Sequence, residues 1–426
     1  MSFAACLTLS TPLLSLLLER LERYVPGGYH PVHIGDQFHN RYRVLHKLGH
    51  GSYSTTWLAR DQKTEKLVAV KVGTADSNPR EADILSELSP TNEPTTSAFG
   101  QFDISFPPIL DRFKIQGTNG LHPCYVTLPA RASLSDAREA SLKRLFQLNV
   151  ARALAAQLAL SVAFLHSKGL VHGDLHLGNV LLRAPTAFQD LPDQELYDEY
   201  GQPQAEPVTR VDGKRLPPGV PSYGLSGIWL GECSEKITLQ EAKIWVSDLG
   251  EAFRPSIENR YESITPVSGR PPEFLFKSGN QVSFSSDIWT LACSIWNILS
   301  QRPLFDDCFF PDEDDIMCQQ IDFLGLSGLP NSWWDKWERR SKYFTETGEP
   351  SHGREVLSWE YIFEEDIQKA RGNEGYPQVS PAEKEAIFAM IRPMLTFKPE
   401  DRCTAAQVLQ SKWMTEWALP EYQKIK

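Results

Sequence analysis

The chain has 426 residues, a formal net charge of −11, 41% hydrophobic residues and 23% charged residues. That length supports two or three structural units with a sizeable core, and the composition is globular, neither fibrous nor disordered. The acidic balance argues against direct nucleic-acid binding, which needs many cations to neutralise phosphates, and fits a basic partner. The seven cysteines are scattered, odd in number and without a C-x-x-C pair, so a reduced intracellular setting, cytoplasmic and/or nuclear, is expected, without a metal cluster.

Residues 4–18 form an apolar run ending Leu16-Leu17-Leu18. It is too short to span a bilayer and lacks the basic start and cleavage site of a secretory signal. It reads as an N-terminal helix or extension. Arg20 and Arg23 give only weak support to a mitochondrial address, because Glu19 and Glu22 lie among them. No other segment reads as transmembrane, and no membrane partner is expected. Tyr24–Val32 is loop-like.

Strand signals follow. Arg41–Leu45 leads into Lys47–Ala59, where β-branched and aromatic residues flank Gly49 and Gly51 as in a hairpin. Leu67-Val68-Ala69-Val70-Lys71-Val72 reads as a buried strand. Residues 79–88 look helical, and 95–120 are loop with short strands. Leu142–His166 is helix-periodic, with Leu145, Leu148, Ala151, Ala155, Leu158, Val162 and Leu165 on one side. Residues 183–242 are acidic and turn-rich, an insertion. Helices resume at Ser286, and Ser380-Pro381-Ala382-Glu383 has the N-cap, first-position proline and third-position glutamate of a helix start. The expected division is an extension at 1–40, a small lobe at 41–130, a larger lobe at 131–418 carrying the insert 183–242, and a tail at 419–426.

Four features carry chemistry. Gly49-x-Gly51-x-x-Ser54 lies between two strands, not between a strand and a helix, so it is not a dinucleotide fingerprint; in a hairpin, such glycines let backbone N–H groups close over phosphates. Any hairpin turn would show the same glycines. Lys71 ends a buried strand and needs a counter-charge, which Glu81 or Asp83 in the following helix can supply. His172-Gly173-Asp174-Leu175-His176-Leu177-Gly178-Asn179 holds an Asp and an Asn at the spacing that phosphoryl transfer uses, one receiving a hydroxyl proton and the other holding a metal ion. Asp248-Leu249-Gly250 follows a strand and can present a second metal-binding carboxylate.

Taken together these residues resemble the eukaryotic protein-kinase signature set. Pro271-Pro272-Glu273 stands where that family has Ala-Pro-Glu, Ser286–Cys293 resembles its central helix, and Arg402 is placed to pair with Glu273. A narrower resemblance, carried by Tyr24–Asp36, Arg41-Tyr42, Ser54–Ala59 and Leu329–Arg340, is to SR-protein-specific kinases in a fungal-like form.

The resemblance implies an α+β, bilobal protein-kinase fold with a β-rich small lobe and a mainly helical large one. It implies a serine/threonine kinase that uses ATP and Mg²⁺ on serines of Arg/Ser-rich proteins, and a monomer. Asp174 would be the base and Asn179 and Asp248 the metal ligands. Lys71, fixed by Glu81, would grip the ATP phosphates. Leu48, Gly49, His50, Gly51, Ser52, Tyr53, Ser54, Thr56 and Ala69 would line the nucleotide site, with Thr127 behind the adenine and Leu128 and Ala130 at the hinge. Three departures matter. Gly173 replaces an Arg that normally binds a phosphorylated activation segment, so activity is not expected to need that phosphate. Ser54 replaces the third loop glycine. His176 replaces a lysine that would neutralise the transferring phosphoryl group, which leaves its contribution open although its place is catalytic. His-Gly-Asp-x-His-x-Gly-Asn is also typical of aminoglycoside and choline-type phosphotransferases, and a pseudokinase scaffold is the further alternative. Asp306-Asp307 and Asp312-Glu313-Asp314-Asp315 are expected to dock an Arg-rich substrate.

Overall fold

The computed structural model describes residues 7–9, 18–89, 96–97, 100–101, 105–305 and 312–425. They divide into two compact units. The first comprises residues 1–91, 106–131 and 183–230, and the second 92–105, 132–182 and 231–426.

The first unit is built on a six-stranded antiparallel sheet. Its strands, taken with one short strand before it, are β1 (Leu7–Leu9), β2 (Gln37–Phe38), β3 (Tyr42–Gly51), β4 (Ser54–Asp61), β5 (Lys66–Gly73), β6 (Asp111–Gly117) and β7 (Gly120–Thr127), in the spatial order β2-β3-β4-β5-β7-β6. One helix, α1 (Arg80–Leu88), follows β5. The unbroken apolar run at 67–70 has a simple cause: both faces of the sheet are covered. Val68, Val70 and Val72 join Trp57, Tyr42 and Val126 on one face, against Val32 and Leu225. Leu67 and Leu58 pack on the other with Phe188, Leu196, Ile228 and Leu230.

The insert therefore behaves differently from the expectation that it belongs to the larger lobe. Residues 183–230 sit with the sheet, where they form a helix, Asp193–Tyr200, and two strands, Ala205–Arg210 and Tyr223–Leu225. Besides the apolar cluster, polar contacts fix the insert in place: Asp193 accepts from Arg60 at 2.6 Å and pairs with Arg43, and Asn119 donates to Gly219 O at 2.8 Å. Leu7–Leu9, expected in a helix or extension, is a strand paired with Val208–Arg210.

The second unit is mainly helical. Its longest helix, α2 (Leu148–Ser167), is buried along most of its length and packs against α3 (Phe284–Leu299). By length and composition α2 is apolar enough to cross a membrane, but it is a core helix. It begins six residues later than the periodicity from Leu142 suggests, because Arg144 adopts a left-handed conformation (φ 52°) and the Ser141 hydroxyl takes the amides of Lys143 and Arg144. The start at Ser380 is as read, with its hydroxyl accepting from Glu383 N, while the Glu383 carboxylate turns inward to Arg152 and Trp413. Arg402 and Glu273 form a two-pronged pair at 2.8 and 2.5 Å with both side chains fully buried. The remaining guanidinium hydrogens go to the carbonyls of Thr396, Ser285 and Phe397, which is what makes a buried ion pair tolerable.

Removing one member would leave the other charge buried and alone. Arg402→Ala is expected to lower unfolding free energy by about 3–5 kcal/mol in denaturant titration.

Candidate active site

In the second unit the decisive residue is a carboxylate on α3. Asp287 is buried; its Oδ2 accepts from His172 N at 2.7 Å and lies 3.0 Å from His166 Nε2, and its Oδ1 accepts from Gly173 N at 3.0 Å. Two consecutive backbone amides on one carboxylate fix where the loop 172–179 begins. Gly173 has φ 80°, and a Cβ there would lie 3.0 Å from Glu251 O. The backbone thus disfavours any side chain at the position where the resembled family has Arg. The segment beyond Asp248 is tied by its own cation instead. Arg260 donates to Glu251 O, Glu251 Oε2 and Glu258 Oε1 at 2.7, 2.8 and 2.8 Å and lies over the Phe253 ring.

Strand pairing brings the two expected metal ligands to one place. β8 (Val180–Arg183) runs antiparallel to Ile244–Val246 with Val180 opposite Val246, so the residue before one strand meets the residues after the other. Ser247 N donates to Asn179 O at 2.9 Å. Asp248, next in the chain, is left-handed (φ 58°), a conformation Asp tolerates better than most residues. Asn179 Nδ2 donates to Asp174 O at 2.9 Å, which holds Asp174 against the Asn and leaves the amide oxygen as the end to face a cation. An amide oxygen and a carboxylate are hard oxygen donors, the set that suits Mg²⁺.

In the first unit, Lys71 Nζ lies 2.6 Å from Glu81 Oε2, and Asp83 pairs with Arg112, so Glu81 is the partner. Thr127 is buried opposite Ala69, and Leu128 and Ala130 follow it in the chain. The glycine hairpin closes with Gly51 opposite Ser54, His50 opposite Thr55 and Gly49 opposite Thr56, after a bulge between Lys47 and Gly49; Ser52 and Tyr53 form the exposed tip and Leu48 precedes the bulge's end.

No local pattern marks this hairpin as held from outside. Tyr29 OH donates to Gly51 O at 2.7 Å, Arg23 donates to Ser52 O at 2.9 Å, and Arg23 lies over the Tyr53 ring. Buried Glu19 takes the Lys47 ammonium and the Tyr24 hydroxyl. From the insert, Ile228 N donates to Lys47 O at 2.8 Å. Asp287, too, was legible only as part of a helix.

Comparison with known proteins agrees with this geometry. The family described as "Protein kinase domain" matches residues 235–414, a span that holds Asp248, Glu273, Asp287 and Arg402. The serine/threonine-protein kinase SRPK of Physarum polycephalum is 27% identical over 93% of this chain and 91% of its own. Protein kinase dsk1 of Schizosaccharomyces pombe is 24% identical over 95% and 86%. A crystal structure of a kinase domain superposes with a TM-score of 0.59 at 18% identity, covering 91% of this chain and 98% of that one. The chain carries a protein-kinase domain and is similar to SR-type protein kinases. Its fold is the bilobal α+β kinase fold, its activity that of an ATP-dependent serine/threonine kinase, and the family uses a divalent metal.

The acidic stretch is also engaged within the fold. Asp312 caps the helix Glu313–Leu324. Glu313 pairs with Arg270 at 2.7 Å, Asp314 with Trp337 Nε1 and Arg339 at 2.6 and 3.1 Å, and Asp315 with the Tyr343 hydroxyl at 2.5 Å. These acids have partners within the fold, while Asp312, Glu313 and Asp315 keep part of their side chains exposed; Asp306 and Asp307 lie outside the described residues.

The hairpin brace makes a prediction. Tyr29→Phe removes a hydrogen bond worth ~1 kcal/mol, so the KM for ATP should rise about fivefold with kcat little changed, and hydrogen exchange at residues 49–54 should quicken.

Proposed function

We propose that this kinase transfers the ATP γ-phosphoryl to seryl hydroxyls of Arg/Ser-rich basic proteins. The observation that carries the chemistry is the meeting of Asp174 and Asn179, on a loop anchored by Asp287, with the Asp248 segment paired to that loop's end. The substrate class is supported by the similarity to SR-type kinases and by the chain's net charge of −11, which steers a basic peptide.

Asp174 orients the hydroxyl and accepts its proton. Lys71, held by Glu81, binds the α- and β-phosphates, with Leu48, Gly49, His50, Gly51, Ser52, Tyr53, Ser54 and Thr56 over them. Ala69, Thr127, Leu128 and Ala130 hold the adenine; Pro129 has no N–H to offer it. Asn179 and Asp248 would hold Mg²⁺, which supplies charge neutralisation on the phosphates. Most of the acceleration is then positioning and electrostatics. Arg260, bonded within its own segment, is consistent with activity that needs no activating phosphate.

Radiolabelled ATP offered with an Arg/Ser peptide, a neutral peptide and an aminoglycoside should label the Arg/Ser peptide, while Asp174→Ala abolishes transfer and still binds ATP. Label on the aminoglycoside, or an active Asp174→Ala, would sink this reading; no transfer by the unaltered chain would point to a scaffold.

A further inference from the structure

The residue that replaces the usual lysine has its protonation pattern written into the backbone. His176 Nδ1 accepts from the Gly178 amide at 3.1 Å. A ring nitrogen that accepts carries no proton, so the neutral ring's hydrogen sits on Nε2. Nε2 lies 3.7 Å from Asp174 Oδ2.

Gly178 supports this arrangement in a second way. It is not among the glycines with positive φ, so its own backbone does not call for glycine. A Cβ there would lie 2.8 Å from His176 Cε1 and 2.9 Å from His176 Nδ1, too close for the ring to stay. His176 and Gly178 therefore fit as a pair: the missing side chain makes room for the ring, and the amide fixes its tautomer.

The two oxygens of Asp174 are not equivalent. Oδ2 faces Asn179 Nδ2 at 3.4 Å as well as His176 Nε2. Oδ1 is buried and has no hydrogen-bond partner among the described residues. One oxygen is met by two donors, and the other is enclosed by the protein.

We propose that His176, neutral and protonated on Nε2, is a positioning residue for Asp174. It draws Oδ2 into a hydrogen bond when substrate is bound and so fixes the rotation of the carboxylate toward the hydroxyl. The 3.7 Å separation is longer than a hydrogen bond, and such contacts tighten in the reactant complex. The proposal rests on the kinase reading above. The bond from the seryl oxygen to the γ-phosphorus forms, and the bond from that phosphorus to the β–γ bridging oxygen breaks. ADP leaves with the electron pair, the hydroxyl proton passes to the Asp174 carboxylate and later to solvent, and His176 keeps its proton throughout. Where the usual lysine brings a permanent charge to the phosphoryl group, this side chain acts on the base.

The test uses the full chain labelled with ¹⁵N in its imidazoles. The spectrum should show His176 as the Nε2–H tautomer, its Nε2 resonance should move in Asp174→Asn, and Gly178→Ala should erase the tautomer preference. In kinetics with an Arg/Ser peptide, His176→Ala should lower kcat about a hundredfold with KM for ATP changed less than about twofold, and His176→Gln should recover about tenfold of the loss. An Nδ1–H or fully protonated ring, an unmoved resonance in Asp174→Asn, or a Gln variant no better than Ala would overturn the assignment. The spectrum decides it even in a variant that turns over no substrate, so failure of the kinase reading is seen separately in the unaltered chain's activity.

Discussion

One buried carboxylate on α3 sets the position of the catalytic loop. Asp287 accepts the amides of His172 and Gly173 on separate oxygens and also meets His166. An anion buried this deeply is tolerable only because donors converge on it, and the same donors have nowhere else to go. The loop is therefore pinned at its start by Asp287 and at its end by the pairing of β8 with Ile244–Val246. Asp174 and Asn179 lie between those two fixed points, and Asp248 follows from the second.

The first unit solves a related problem with covering layers. Its sheet buries apolar residues on both faces, which places Lys71 in a strand with little solvent and makes Glu81 a necessity. The covering material comes from the N-terminal segment and from the insert. Both also reach the glycine hairpin: Tyr29 and Arg23 at its tip, Glu19 and Ile228 at Lys47. A glycine hairpin is mobile by composition, and here neighbouring chain limits that mobility.

What could be read in the sequence was what is local. The hairpin, the β5 strand, the spacing of Asp174 and Asn179 and the Asp-x-Gly turn each occupy a few consecutive residues, so pattern alone locates them. The pairing of Arg402 with Glu273 came through resemblance, and the buried two-pronged geometry matches it. What could not be read depends on partners far along the chain. Glu81 and Asp83 are two residues apart on one helix, and only the position of Arg112 separates them. The insert looks like a polar linker because its apolar residues, Phe188, Leu196, Ile228 and Leu230, are sparse, yet all four meet the sheet. Asp314 and Asp315 look like free charge until Trp337, Arg339 and Tyr343 are seen beside them. Arg144 ends the apparent periodicity of α2 through a single left-handed residue.

The central claim is that Asp287 holds the catalytic loop in its working geometry. Asp287→Asn keeps the shape and replaces an accepting oxygen with a donor against backbone N–H groups. Single-turnover transfer of labelled phosphate from ATP to a seryl peptide, measured beside the nucleotide Kd, tests it most directly. The account predicts a fall in the transfer rate of about a hundredfold, as expected when a reacting group is misplaced by about 1 Å, with nucleotide affinity nearly unchanged. A transfer rate equal to that of the unaltered chain would contradict it.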